Sequence, residues 1–385
     1  MKKILIFGSS GSIGENALEI IGQYRNRFSV LGLLVNRNIK SLARQVKQHH
    51  PRYVCVCDDL QARTARKILP RGVKLFYGEK GMLEFSSLAS DIAVMGIVGV
   101  SSLRPLLLTM KHSKRIALAS KEALVTGGEI VTAAARKYNR EIIPVDSEIN
   151  ALFQLFNTVT KESIAKVYIT ASGGALLGYS KREIKKVTKK DVLNHPTWRM
   201  GERITVDCAT MVNKGFEVME CHYLFGLDYS KIDILIHRQS FAHVIVNTLD
   251  NTMFSCFYPP DMKVPIRFAL FYPQRCRMEQ EGFSKSARYL SFEKVSHKQF
   301  PLFSLVLEAA KQGGNMPVIV NAADEVAVDY FLDGRIKFYD IYKILSAIFE
   351  KAKNKKKKVV NLGDLFYWDK WARCKTKELL VKLCG

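Results

Sequence analysis

Short apolar runs alternate with amphipathic stretches through the first part of the chain. Lys3–Gly8 predicts a strand, and Ser12–Tyr24 predicts a helix, with Ile13, Ala17, Leu18, Ile20 and Ile21 near helical spacing. Phe28–Val35 predicts a second strand and Ile39–Gln48 a second helix. Tyr53–Cys57, Asp91–Val98, Arg115–Leu118 and Glu141–Val145 supply further strands. Alternation of this kind implies a parallel, doubly wound sheet. From about residue 150 the crossovers become irregular. Val167–Thr170, Ile232–Ile236, Ala242–Thr248 and Met253–Phe257 read as strands among helices and loops, which predicts an α+β domain. Residues 276–300 hold no clear period and read as a connecting segment. Beyond Phe300 the pattern turns helical, at Leu302–Lys311, Ala322–Asp333, Tyr339–Lys353 and Lys375–Cys384, which predicts a small helical bundle.

Composition narrows the class. At 385 residues, with 48% apolar and 25% charged positions, the chain is a globular protein of two or three domains. A disordered chain, a collagen and a coiled-coil rod are excluded. No apolar run approaches the roughly 20 residues that span a bilayer. The first apolar run stops at Gly8, too short for a secretory core, so a cytoplasmic protein with no membrane partner is expected. The 59 Lys+Arg against 36 Asp+Glu leave a net charge of +23, which favours anionic ligands. The densest basic clusters, Lys181–Lys190 and Lys351–Lys358, contain no aromatics, so they read as a solvated surface and no nucleic-acid partner is expected. None of the 8 cysteines forms a Cys-x-x-Cys pair, which suits reduced thiols.

Gly8-Ser9-Ser10-Gly11-Ser12-Ile13-Gly14 lies at the first strand–helix junction. Glycines there allow a tight turn and close approach to a pyrophosphate, and the helix N-terminus offers free N–H groups. The spacing departs from GxGxxG, so a ligand-free turn is the plainer alternative. The second strand ends Val35-Asn36-Arg37-Asn38, without the carboxylate that would bind an NAD ribose. Arg37 suits a 2′-phosphate instead, so NADPH is the expected cofactor.

Asp146-Ser147-Glu148 follows the last strand of the sheet. Read as extended backbone, it points both carboxylates the same way, toward one cation at the carboxyl end of the sheet. A solvated acidic turn is the alternative. In Asp207–Glu217, Asn213 and Glu217 are helical neighbours four residues apart. Glu217 would complete a three-carboxylate oxygen site suited to Mg²⁺ or Mn²⁺, while Asn213 and Lys214 bind an adjacent anion. Ala171-Ser172-Gly173-Gly174-Ala175 has the make-up of a phosphate cradle, and His195–Gly201 that of a mobile lid carrying Trp198.

Taken in order, these stretches resemble the 1-deoxy-D-xylulose 5-phosphate reductoisomerases of the non-mevalonate isoprenoid pathway. Ala119-Ser120-Lys121-Glu122, Pro260-Asp261-Met262 and Asn321-Ala322-Ala323-Asp324-Glu325 join the match, which runs nearly the whole chain. The resemblance implies a homodimer that rearranges and reduces 1-deoxy-D-xylulose 5-phosphate to 2-C-methyl-D-erythritol 4-phosphate with NADPH and Mg²⁺, Mn²⁺ or Co²⁺. It implies a Rossmann-like NADPH domain over residues 1–149, a catalytic and dimerisation α+β domain over 150–275, the connecting segment 276–300 and a C-terminal helical domain over 301–385. Carried over by position, Asp146, Glu148 and Glu217 hold the metal. Lys121, Ser147, Glu148 and Glu217 face the substrate's oxygens, with Lys121 and His195 among the catalytic groups. Ser172, Cys208, Asn213 and Lys214 hold its phosphate, and Trp198 closes over it. The cofactor lies against Ser10, Gly11, Ser12, Ile13, Arg37, Asn38, Ser120, Glu122 and Gly201. Three positions depart from the family pattern: Cys208 replaces Ser, Ser120 replaces an Asn common among relatives, and Ser10 replaces Thr. Two rivals stand: an NADPH oxidoreductase acting on another phosphorylated substrate without isomerisation, and a nucleic-acid binder using the basic surface.

Overall fold

The computed structural model describes residues 1–277 and 289–384, which fall into two compact units. The middle of the expected connecting segment, 278–288, lies outside the described residues. In chain order the strands are β1 (Lys2–Phe7), β2 (Phe28–Val35), β3 (Tyr53–Val56), β4 (Lys74–Tyr77), β5 (Ser90–Met95), β6 (Ser113–Leu118), β7 (Glu141–Pro144), β8 (Ile164–Ala171), β9 (Ile232–Ile236), β10 (Ala242–Thr248), β11 (Met253–Phe257) and β12 (Glu293–Lys294). The helices are α1 (Ser12–Gln23), α2 (Ile39–His49), α3 (Asp59–Ile68), α4 (Gly78–Ser86), α5 (Leu103–His112), α6 (Lys121–Lys137), α7 (Ser147–Leu155), α8 (Lys181–Ile184), α9 (Lys189–Leu193), α10 (Glu202–Thr210), α11 (Val212–Phe225), α12 (Lys263–Phe271), α13 (Pro301–Gln312), α14 (Met316–Leu332), α15 (Phe338–Lys353) and α16 (Leu362–Cys384).

The first unit comprises Met1–Ala123, Val131–Asn150 and a segment beginning at Asp261. Its parallel sheet has the order β4-β3-β2-β1-β5-β6-β7, and the order reverses between β1 and β5. Ile4, Leu5, Ile6 and Phe7 of β1 are wholly buried, as a central strand covered on both faces requires. The short edge strand β4 escaped the sequence reading, because Lys-Leu-Phe-Tyr is too brief to show a period. Helix α12 packs against α1, with Phe271 set edge-on to Tyr24 and Phe28 at 4.9 Å.

The second unit comprises Leu124–Ile130, Ala151–Pro260 and the described residues from Tyr289 onward. Its sheet runs β11-β10-β8-β9-β12, antiparallel except for the β8–β9 pair. Helix α11 is buried from Val212 to Cys221, and α14 from Met316 through Asp324. The sequence reading starts α14 six residues late, at Ala322 instead of Met316. A helix buried all round has no polar face, so Met316–Val320 carries no helical period. Helix α16 likewise begins at Leu362, well before the expected Lys375, because aromatics and charges alternate irregularly along its first turns.

Candidate functional site

The glycine-rich turn sits at the β1 end of the switch point in the first unit. Gly8 adopts φ +81°, and a β-carbon on it would lie 2.6 Å from the Gly96 carbonyl oxygen at the end of β5. A β-carbon on Gly14 would meet the Gly8 oxygen at 2.4 Å. Only glycine therefore fits at either position. Buried Gln45 fixes the turn: its Oε1 accepts from Ser9 Oγ at 2.7 Å, and its Nε2 donates to the Ser9 carbonyl at 2.8 Å. Gly11 occupies the cap position of α1 without a side-chain cap, so the first N–H groups of that helix remain available to an anion. Ser10 and Ile13 are half-buried there, and Gly11 and Ser12 are exposed.

At the end of β2, Arg37 is held by Asp58, with Nε 2.9 Å from Oδ2. Asp58 also caps α3 by accepting from the Gln61 N–H, and that bond, ahead of Arg37 itself, holds its carboxyl below the usual range. Asn38 caps α2 through the Ser41 N–H at 3.0 Å. The sequence marked Arg37 and Asn38 but not Asp58, which is 21 residues away and carries no local signal. Ser120 precedes α6, and its hydroxyl is buried with no hydrogen-bond partner among the described residues. Glu122 is half-buried in the first turn of that helix.

Lys121 is buried and paired with Asp146 Oδ2. The other carboxylate oxygen, Oδ1, is buried with no hydrogen-bond partner among the described residues. The expected extended Asp-Ser-Glu segment does not form. Helix α7 begins at Ser147, and the Asn150 N–H bonds to the Asp146 carbonyl at 2.8 Å, which makes Asp146 the residue that enters the helix. Asp146 and Glu148 nevertheless present carboxylate oxygens within 4.8 Å of each other, because the helix start turns both the same way. Ser147 Oγ donates to Glu148 Oε2. An orphaned buried carboxylate oxygen beside a second carboxylate is a donor set that fits a hard divalent cation.

In the second unit, Glu217 is buried on α11. It accepts from Asn213 Nδ2 at 2.6 Å and from Lys214 Nζ at 2.5 Å. Met211, at φ +63°, makes the sharp joint between α10 and α11 that turns Asn213 and Lys214 inward. After β8, Gly173 and Gly174 both take positive φ. A β-carbon on Gly174 would lie 2.6 Å from the Cys208 carbonyl oxygen, so the cradle backs directly onto the last turn of α10. Ser172 Oγ lies 3.0 Å from His195 Nε2. His195 Nδ1 accepts from the N–H groups of Trp198 and Thr197 at 3.0 and 3.3 Å, so the ring proton sits on Nε2 and is donated to Ser172. Burial, helped by Lys214, pushes His195 down to about 4. A neutral His195 leaves the Ser172 hydroxyl hydrogen free to point at a ligand. The Trp198 ring stands edge-on to His243 at 6.2 Å, and His243 stacks on Tyr258 at 3.8 Å. His243 and Tyr258 escaped the sequence reading, because aromatics on strands read as core. Gly201 caps α10 at the end of the His195–Gly201 loop, and Cys208 is half-exposed at the helix's far end.

Comparison with known proteins shows which family the chain resembles. Models of the 1-deoxy-D-xylulose 5-phosphate reductoisomerase match residues 4–128, and models of its C-terminal domain match 142–225 and 258–375. The reductoisomerase of Thermodesulfovibrio yellowstonii is 41% identical over 380 residues, covering 98% of this chain and 99% of that protein. The chain belongs to the 1-deoxy-D-xylulose 5-phosphate reductoisomerase family. The reductoisomerase of Rippkaea orientalis is 39% identical over 97% of this chain and 95% of that protein. The solved reductoisomerase of Zymomonas mobilis in complex with NADPH superposes with a TM-score of 0.90, at 33% identity over 98% of this chain and 99% of that one. A reductoisomerase crystal structure with NADPH, fosmidomycin and magnesium gives 0.92, at 31% identity over 100% of this chain and 99% of that one. The reductoisomerase fold accounts for the mixed α/β architecture with its parallel sheet, second sheet and C-terminal helices.

Proposed function

We propose that this chain converts 1-deoxy-D-xylulose 5-phosphate to 2-C-methyl-D-erythritol 4-phosphate, using NADPH and a divalent cation, as a reductoisomerase of isoprenoid precursor synthesis. The observation that carries the reading is the full-length match to reductoisomerases, on a chain whose Asp146 keeps a buried carboxylate oxygen without a hydrogen-bond partner among the described residues. Asp146, Glu148 and Glu217 are assigned to one cation. When bound, that cation supplies Lewis acidity toward the substrate's carbonyl and hydroxyl oxygens, and NADPH supplies the hydride.

The chain's own residues do the rest. Lys121 Nζ holds a fixed positive charge beside the carboxylates, where negative charge develops on substrate oxygen. Ser147 orients Glu148. Ser172, Asn213, Lys214 and Cys208 bind the substrate phosphate, and that remote binding energy draws the His195–Gly201 loop closed. Neutral His195 donates to Ser172 and holds its hydroxyl in place. Trp198 covers the substrate and excludes water, so the aldehyde meets the nicotinamide before it escapes. Ser10, Gly11, Ser12 and Ile13 cradle the pyrophosphate. Arg37 and Asn38 meet the 2′-phosphate end, and Ser120, Glu122 and Gly201 line the remainder of the cofactor site.

We further assign the protein as a homodimer. Strand β11 is a sheet edge bearing Met253 at 65% and Phe257 at 47% exposure, an apolar edge suited to pairing with a second copy. A cytoplasmic location is part of the same reading. It is supported by the free thiols among the described residues and by dependence on a reduced nucleotide. Among those residues no helix is long and apolar enough to cross a membrane.

Mn²⁺ binding tests the metal assignment. Asp146→Asn and Glu217→Gln are each expected to weaken Mn²⁺ binding while NADPH binding persists. Unchanged Mn²⁺ affinity in Glu217→Gln removes Glu217 from the site.

A further inference from the structure

The Asn321–Glu325 motif is absorbed by none of the assigned roles, yet its last residue, Glu325, lies at the centre of a partly buried ionic cluster. Glu325 on α14 accepts from Arg203 through one carboxylate oxygen and from Arg373 through the other. Arg373 on α16 is also held by Asp369, Nε to Oδ2 at 2.8 Å. Arg203 stands in the first turn of α10, two residues beyond Gly201, and its Nε lies 3.9 Å from Asp207 Oδ2 on the same helix. The Glu325 side chain is only 13% exposed and that of Arg203 20%, so solvent screens the pair weakly. A second tie is more exposed. Lys189 Nζ bridges Glu202 at 3.2 Å and the Leu332 carbonyl at the end of α14 at 3.0 Å.

These contacts converge on one short helix. Helix α10 is entered directly from the His195–Gly201 loop. Its last turn backs onto Gly174 of the phosphate cradle and carries Cys208. A shift of α10 therefore moves the loop's anchor and one wall of the cradle together.

We infer that Glu325 is a positioning residue. Through Arg203 it tethers α10 to the C-terminal helices, and so holds the substrate loop and the phosphate cradle in register. Arg373, carried by α16, keeps the Glu325 carboxylate aimed. The inference rests on the reductoisomerase reading for what the cradle binds.

Two variants separate tethering from simple support of the fold. Arg203→Met and Arg373→Met each take one guanidinium from Glu325, and both lower thermal stability. Of the two, Arg203→Met removes the guanidinium that α10 itself carries to Glu325, leaving the more exposed Lys189 tie in place. It is expected to raise the KM for 1-deoxy-D-xylulose 5-phosphate by an order of magnitude or more, because a displaced cradle loses hydrogen bonds to the charged phosphate, each worth roughly ten- to a hundredfold in affinity, with kcat less affected. Amide hydrogen exchange across residues 195–211 is expected to quicken in Arg203→Met and not in Arg373→Met. Glu325→Asp keeps the charge but shortens the reach to both guanidiniums, and it is expected to follow Arg203→Met in KM and in exchange while keeping the fold. Equal KM increases in Arg203→Met and Arg373→Met, or exchange unchanged in Arg203→Met, overturn the inference. If the wild-type chain consumes no NADPH with this substrate, the functional reading fails, and the exchange comparison still decides the tether.

Discussion

Replacing Gly174 by alanine tests the phosphate cradle without touching a charged group. Gly174 has φ +68°, where an alanine is disfavoured by about 1–2 kcal/mol. The added methyl would also lie 2.6 Å from the Cys208 carbonyl oxygen and 2.8 Å from the Ala209 Cα. Both neighbours are backbone, so no side chain swings aside, and overpacking of this kind adds about 1–3 kcal/mol. The combined cost is about 2–5 kcal/mol, enough to lower the melting temperature by several degrees or to push the turn away from α10. In the second case Ser172 leaves His195 and the phosphate. Loss of a hydrogen bond to a charged group, worth about 1.5–3 kcal/mol, raises KM roughly ten- to a hundredfold. Gly178→Ala is the control: it shares a positive φ, but among the described residues nothing lies within 4 Å of the new methyl, so only the backbone penalty applies. The assay is a thermal melt with the KM for 1-deoxy-D-xylulose 5-phosphate and for NADPH. The NADPH KM should hold, since the glycine-rich turn is elsewhere in the chain. A Gly174→Ala protein that melts and binds substrate like Gly178→Ala would refute the close-packed cradle.

Three further outcomes follow from the same geometry. His195 titrates near 4 in the folded chain against 6.5 unfolded, so between those values the unfolded state binds the extra proton. Stability should therefore fall as pH drops from about 6.5 to about 4, with a shallower slope in His195→Gln, read from melts across that range. Cys208→Ser replaces a weak thiol donor by a hydroxyl and is expected to lower the substrate KM, and an unchanged or raised KM would show that position 208 does not contact the phosphate. Arg37→Ala is expected to raise the KM for NADPH while leaving that for NADH alone, and equal changes for both nucleotides would remove Arg37 from the 2′-phosphate.

Much of the fold was legible because its signals are local. Phe28–Val35, Ile232–Ile236, Ala242–Thr248 and Met253–Phe257 span the same residues in the sequence reading and in the structure. Short edges and buried helices were not, since β4 is four residues long and the start of α14 has no polar face. The pairing of Asp146 with Glu148 was anticipated from the wrong backbone. Strand periodicity suggested a shared direction, whereas the start of α7 provides it. Tertiary partners were invisible for a different reason. Asp58 on Arg37, Gln45 on Ser9 and Glu325 on Arg203 are joined only by folding, across 21, 36 and 122 residues.

The central claim is a metal-dependent rearrangement coupled to reduction. Its most direct test follows NADPH absorbance and product structure after adding 1-deoxy-D-xylulose 5-phosphate, first with Mg²⁺ and then with excess chelator. The account predicts one 2-C-methyl-D-erythritol 4-phosphate formed per NADPH consumed, abolished by chelator and restored by added Mg²⁺. NADPH consumption that ignores the chelator, or a reduced product with an unbranched carbon skeleton, would contradict it.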